Sequence, residues 1–261
     1  MDRWLLNSLP TWALVLLVVG GTTCFGLGGF LTMRRLVPSL GRHAESRSLS
    51  SAFSISSGLF SFVLAFTIGQ LYSNYIRASA NVKQEATRIE QVLRVARGLP
   101  EPLAGEVRAG MLDYAAVART TEWRTLREGK ASPRAWEDID RIYAALEHAR
   151  TSDRSNTYYG QVLSGLDDLV AARQTRLDDA NESLPPIFQV MLLLGAALAL
   201  SSTFYFKPFG ERLQVAMIGG ASALIGTALL VALSLDYPYS GSVHVSSAAF
   251  ARRTIVLLSG G

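Results

Sequence analysis

The sequence predicts an all-α membrane protein: four transmembrane helices, with a helical bundle between the second and third that is formed partly by extensions of those spans. Three observations predict this class. Residues 12–33, 52–75, 186–206 and 213–235 are apolar runs with no charge at their centres, and about 20 such residues cross a ~30 Å hydrocarbon core as a helix. Residues 76–184 are too rich in charge to cover four helices that are apolar all round. Composition agrees, since 49% of the 261 residues are hydrophobic and the mean hydropathy is +0.23.

Ahead of the first run Arg3 is the only base, and no Ala-x-Ala site comes after the run, so it is expected to stay as an uncleaved helix. The lone Cys24 lies inside it, which excludes a disulfide framework and a thiol–metal site and predicts a buried small apolar residue. Gly26-Leu27-Gly28-Gly29 resembles a phosphate-binding glycine run only superficially; within an apolar span it reads as close helix packing.

No Gly or Pro separates the second span from the polar segment beyond it, so one long helix is expected to leave the bilayer. Its packing seam is Ser79, Val82, Ala86, Ile89, Leu93 and Ala96, an alternation of four and three. Gly98-Leu99-Pro100-Glu101-Pro102 stops it, because proline removes donors and forces the preceding residue extended. A second bundle helix presents Val107, Met111, Tyr114, Ala118 and Thr121 and ends near Gly129. Ser132-Pro133 then offers an N-cap and the residue suited to the first helical position. The third presents Trp136, Ile139, Tyr143 and Leu146 up to the polar run 151–156. The fourth carries Tyr159, Val162, Leu166, Leu169, Arg173 and Leu177 towards Pro185-Pro186, the entry to the third span. The domains expected are therefore 1–75 (spans one and two), 76–184 (bundle), 185–235 (spans three and four) and a 236–261 tail. In that tail Asp236 sits at the bilayer exit, and Pro238 and Gly241 turn the chain. Asp236 is read as a cap or an ion-pair partner, with an ion-pathway carboxylate as the alternative.

The net charge of +4 comes almost wholly from arginine, spread along helices and beside spans, which suits a lipid surface rather than nucleic acid. Arg34, Arg35, Arg42 and Arg47 in one loop, and Lys207 and Arg212 in another, assign those loops to the cytoplasm by the positive-inside rule. The bundle and both termini then face outward from the inner membrane. A thinner set of bases, Arg77, Lys83, Arg88, Arg173, Arg176, Arg252 and Arg253, competes from the other side.

No catalytic constellation is present in the sequence, and no enzyme activity, cofactor or metal is expected. His43, His148 and His244 are scattered without a second ligand at helical spacing. Asp178, Asp179 and Glu182 read as a solvated face beside the membrane.

The second span is more informative. On a helical wheel Gly58, Phe62, Phe66 and Gly69/Gln70 share a face that continues through Ser73, Arg77, Gln84, Arg88 and Gln91, since residues eleven apart differ by only about 20°. Such a face suits a helix lining an axial pathway, with Phe62 and Phe66 at a hydrophobic constriction and Arg77 and Arg88 drawing small anions. The alternative is that both Phe pack between spans or against lipid, and that the polar stripe is the wet side of a bundle helix.

Ser61-Phe62-Val63-Leu64-Ala65-Phe66 resembles the neck of bestrophin anion channels, a Ser-Phe-Val-Leu-Gly-Phe run that lines a narrow hydrophobic pore. Ala65 replaces the Gly, the tryptophan pair after the neck is absent, and no acidic cluster resembles the calcium clasp, so no calcium site is carried over. Over its length the chain is similar to the bacterial bestrophin-like family of unknown function, through Arg34-Arg35-Leu36-Val37-Pro38, Leu64-Ala65-Phe66, Glu85-Ala86, Gly98-Leu99-Pro100, Glu122-Trp123, the 235–241 stretch with Asp236, Pro238 and Gly241, then Val245-Ser246 and Phe250. The resemblance implies a homo-oligomer, a pentamer as in bestrophins, conducting ions along the second span. It also implies a cytoplasmic bundle, against the arginine count. The rival from another class is a non-conducting membrane sensor or assembly scaffold whose helical domain binds a ligand or partner. A secondary transporter is third, with Gly219-Gly220 the only candidate helix break.

Overall fold

Among the described residues of the computed structural model, four helices are long and apolar enough to cross a membrane: Thr11–Leu36, Ser54–Ala96, Thr157–Ser202 and Arg212–Asp236. The structure describes residues 2–36, 47–205 and 210–251, and no strand occurs among them. Val37, Pro38, Arg42, His43, Lys207, Arg252 and Arg253 lie outside the described residues. The chain is a multi-pass, all-helical membrane protein, and it divides into two compact units, Met1–Ser73 with Ser183–Asp236 and Asn74–Glu182 with Tyr237–Gly261.

In the first unit a short helix, Asp2–Ser8, precedes the first span, whose Leu16–Gly20 stretch is a π turn. The first and fourth spans approach closely through small residues. A Cβ at Gly26 would fall on Ser222, and one at Gly226 would fall on the Thr22 hydroxyl and 3.0 Å from Val19 Cα. This is the packing that the Gly26 run predicts, but of its other glycines Gly28 meets nothing and Gly29 faces the Phe204 ring. Cys24 departs from its predicted burial and is exposed. Two residues turn a helix by about 200°, so Cys24 lies opposite the Thr22 and Gly26 face that packs on the fourth span.

The second and third spans pack through Phe60, Leu64, Leu192, Ala196 and Ala199. The hydroxyls of Ser57 and Ser202 meet at 3.0 Å. Gly226→Val is expected to cost about 1–3 kcal/mol by overpacking, because Val19 backbone cannot move aside as a side chain would. Thermal unfolding in detergent, with Gly219→Val as control, checks this; a Cβ at Gly219 meets nothing within 4 Å.

The second unit is a helical bundle. Arg47–Ala96 is one uninterrupted helix, and its share of this unit buries Ala78, Val82, Ala86, Ile89, Leu93 and Ala96 to within 2% exposure. The helix ends at Ala96, and Leu103 opens the next, as the intervening prolines require. That next helix, Leu103–Val117, buries Val107, Met111 and Tyr114 completely.

A π turn at Ala118–Glu122 then adds a residue to the repeat. The inward face moves by one, so Thr121 is exposed while Glu122 takes the core position. Ser132 precedes Pro133 in extended geometry, yet its hydroxyl caps nothing; the residue is buried and serves through its backbone. Helix Pro133–Glu147 packs on Leu103–Val117. Thr157–Asn181, capped by Asn156 accepting from Tyr158 N–H at 2.8 Å, closes the bundle. Each aliphatic side chain fully buried here contributes roughly 1.5–3 kcal/mol.

Candidate functional site

Within the first unit the second span has two opposed faces. Phe60, Leu64, Thr67 and Leu71 recur at four and three and are buried, Phe60 and Leu64 against the third span. Two residues on, and so nearly opposite, Phe62 is 71% and Phe66 68% exposed. Gly58, Ala65, Gly69, Gln70 and Ser73 are exposed as well. Neither Phe packs between spans of its own chain. The face therefore meets whatever surrounds a single chain.

The two arginines of the same wheel lie in the second unit, and each has an anionic partner. Arg77 donates to Glu182 at 2.6 Å and lies 3.9 Å from Asp179. Arg88 pairs with Asp168 at 3.2 Å and donates to Gln91 at 2.9 Å. Asp179 in turn accepts from Asn81 at 2.6 Å.

The core of the second unit holds a charge network with no exposed member. Arg173 grips Glu122 through Nε at 3.1 Å and Nη2 at 2.5 Å. Arg176 grips Glu85 through Nε at 2.5 Å and Nη2 at 3.1 Å, and its Nη2 also reaches Glu122 at 2.8 Å. Tyr114 donates to Glu85 at 2.5 Å, Ser132 N–H faces Glu122 at 3.4 Å, and the Ser132 carbonyl accepts from Arg173 at 3.2 Å. Trp136 lies 4.2 Å from the Arg173 guanidinium, while Trp123 and Phe250 flank Arg176. Two arginines against two carboxylates leave no net charge, which is the condition for burying them at all.

Burial raises the Glu122 pKa most strongly, but Arg176 and Arg173 together outweigh it and hold the carboxyl below its ordinary value of 4.5. Burial beside Glu85 pushes the Tyr114 phenol well up, so it stays a donor. A carboxylate with a depressed folded-state pKa contributes stability that is complete above its unfolded value and is lost as pH falls through the folded one. The second unit is therefore expected to loosen below pH 4.5. Tryptophan fluorescence on acid titration checks this, and Glu122→Gln should flatten that part of the curve.

A family model for the bestrophin-like domain matches residues 20–250. The chain belongs to the bestrophin-like family. Crystal structures of two single-substitution variants of a bacterial bestrophin homolog from Klebsiella pneumoniae share the fold. One superposes with a TM-score of 0.72 at 12% identity, covering 95% of this chain and 99% of the other. The second reaches 0.74 at 14%, covering 95% and 98%. A further crystal structure, of a membrane protein variant, matches at 0.72 and 12% over 95% and 99%. No protein of curated function matches the sequence at a significant level.

In this bestrophin-like chain the motif residues fall into two groups. Glu85, Glu122 and Trp123 belong to the buried network and its aromatic lid. The network's other half, Arg173 and Arg176, was not foreseen from sequence. One signal pointed there: Arg173 recurs on the apolar stripe of its helix, where a solvated arginine does not belong.

Asp236, Pro238 and Gly241 shape the chain after the last span. Within the first unit Asp236 Oδ1 accepts Leu184 N–H at 2.7 Å, just ahead of the third span. In the second unit Ser240 N–H closes a turn on the Tyr237 carbonyl at 3.0 Å with Pro238 inside it. Gly241 has φ 74°, the left-handed region that favours glycine. The turn delivers Tyr239 edge-on to Trp123 at 5.5 Å, and Phe250 meets the same ring at 6.0 Å. Among the described residues no three His, Cys, Asp or Glu side chains are grouped as metal ligands.

Proposed function

We propose that the protein is a homo-oligomeric, ion-conducting member of its family in the bacterial inner membrane, with the second span lining the pathway. The observation that carries this is the exposed pair Phe62 and Phe66, set opposite the seam that binds the span to its own chain. Copies arranged about an axis would turn that pair inward as a hydrophobic constriction, with Gly58 on one side and Gln70 and Ser73 on the other. Fivefold symmetry is the arrangement that likeness to bestrophins suggests. The domain scheme is 1–75, 76–184, 185–235 and 236–261, and the arginines of the first loop favour an extracytoplasmic bundle.

Purified protein in liposomes is expected to carry ion flux, and Phe62→Ala with Phe66→Ala to raise it several-fold. Wild-type vesicles that stay tight at every voltage and pH tested would sink the proposal. Arg77 and Arg88 suggested anion preference, but each is ion-paired, so the pairing offsets the charge that would draw anions. The reversal potential across a KCl gradient identifies the preferred ion.

A further inference from the structure

Asp179, expected from sequence on a solvated face, is 8% exposed within the second unit. It stands in the wall of a polar cavity of about 560 Å³ lined by Arg77, Asn81, Thr175, Asp178, Asp179 and Glu182. One arginine there faces three carboxylates. The neutral Asn81 amide donates to Asp179 at 2.6 Å. Arg77 gives its hydrogen bond to Glu182 at 2.6 Å and lies 3.9 Å from Asp179, so it reaches Asp179 through charge alone. Asp178 accepts from the Gln174 amide at 3.0 Å. From the tail comes Tyr239, whose phenol burial and the Asp179 charge push up and Arg176 pulls down, so it stays neutral.

We propose that Asp179 is a specificity-determining residue of the conduction pathway: ionised it offsets the charge of Arg77, and protonated it releases that charge, so acidification moves the ion preference towards anions. This rests on the conduction reading above, in which the helix bearing Arg77 lines the path. Arg77 lies eleven residues beyond Phe66 on one uninterrupted helix and only about 20° round from it. It follows closely on Tyr75, where the apolar run ends. Burial pushes the Asp179 carboxyl above its ordinary value of 3.8, and Glu182 and Asp178 add to this against the pull of Asn81 and Arg77. Its proton is therefore taken up above the range of a solvated aspartate. Uptake needs no rearrangement, because a protonated carboxyl keeps an oxygen that accepts from Asn81. Removing one negative charge ~8 Å from a passing ion changes the local concentration of each sign by up to about twofold, in opposite senses. The anion-to-cation permeability ratio is then expected to rise roughly threefold.

The test uses the full-length protein in vesicles with a KCl gradient and the same pH on both faces. The reversal potential is followed from about pH 7 down to pH 4.5, above the range in which the Glu122 network loosens. Wild type is expected to move towards chloride by that roughly threefold ratio. Asp179→Asn, which still accepts from Asn81, should show the acid-state ratio at every pH. Asn81→Ala removes a donor that favours the carboxylate, so its shift should come at higher pH, an effect that a merely structural role would not produce. If Asp179→Asn does not fold, Asn81→Ala still decides. A reversal potential that ignores pH, one that moves equally in Asp179→Asn, or a midpoint unmoved by Asn81→Ala would each overturn the proposal and leave conduction standing. Absence of flux at every pH would end the conduction reading and this inference together.

Discussion

Arg176→Met is expected to cost about 3–5 kcal/mol, the loss typical when one partner of a buried ion pair is removed. Arg176 is the bridge of the network, touching both Glu85 and Glu122. Methionine roughly fills its volume, so the loss is electrostatic: two carboxylates would remain against Arg173 alone, with no water to screen them. Proteins are stable by only ~5–15 kcal/mol, so a change of this size should melt the bundle at growth temperature. Thermal unfolding of the purified oligomer checks the magnitude, and Arg124→Met on the surface sets the baseline. Adding Glu85→Gln to Arg176→Met restores charge balance and leaves Tyr114 an acceptor, so the double variant should recover a substantial part of the loss. A single variant no less stable than the Arg124 control would show that the network carries no stability.

The spans were legible because lipid imposes length and apolarity together, and both are visible in four runs. The bundle's first seam was legible for a similar reason, since Val82 to Ala96 repeat at four and three without interruption. Glu122 was not legible. The π turn before it shifts the repeat by one, and a count in steps of three and four arrives at Thr121 instead. Arg173 and Arg176 illustrate a second limit. The position of Arg173 on an apolar stripe was readable, but the partners of Arg173 and Arg176 stand 51 and 91 residues away, and only the fold brings them together. The candidate face on the second span shows both sides of this. Its period placed Phe62 and Phe66 together, whereas the partners of Arg77 and Arg88, on a different helix, could not be inferred from any spacing. Cys24 departs from the expected burial because it faces away from the fourth span, whereas Ser132 holds the expected N-cap position ahead of Pro133 but acts through its backbone rather than its hydroxyl.

Trp123→Ala is expected to cost a further ~3–5 kcal/mol, the range for truncating a buried aromatic, and to release the tail. Trp123 is 6% exposed and stands between the network and the turn after the last span. On one side the Arg176 guanidinium lies 5.8 Å from its ring. On the other, Tyr239 and Phe250 meet it edge-on. Edge-to-face pairs of this kind contribute ~0.5–1.5 kcal/mol each beyond area, beside the other anchors of the tail, among them Ser240 Oγ to the Arg127 carbonyl at 3.0 Å, Tyr239 to Ala78 at 3.4 Å and Val245 in the core. Truncation removes both aromatic contacts at once and opens a cavity beside two buried charges, so water can reach the network. Limited proteolysis should then cut within 237–251 in Trp123→Ala while sparing wild type, and Trp123→Phe should fall between them. Equal resistance in all three would mean that the tail is held by its turn and backbone contacts, with Glu122-Trp123 serving the network alone.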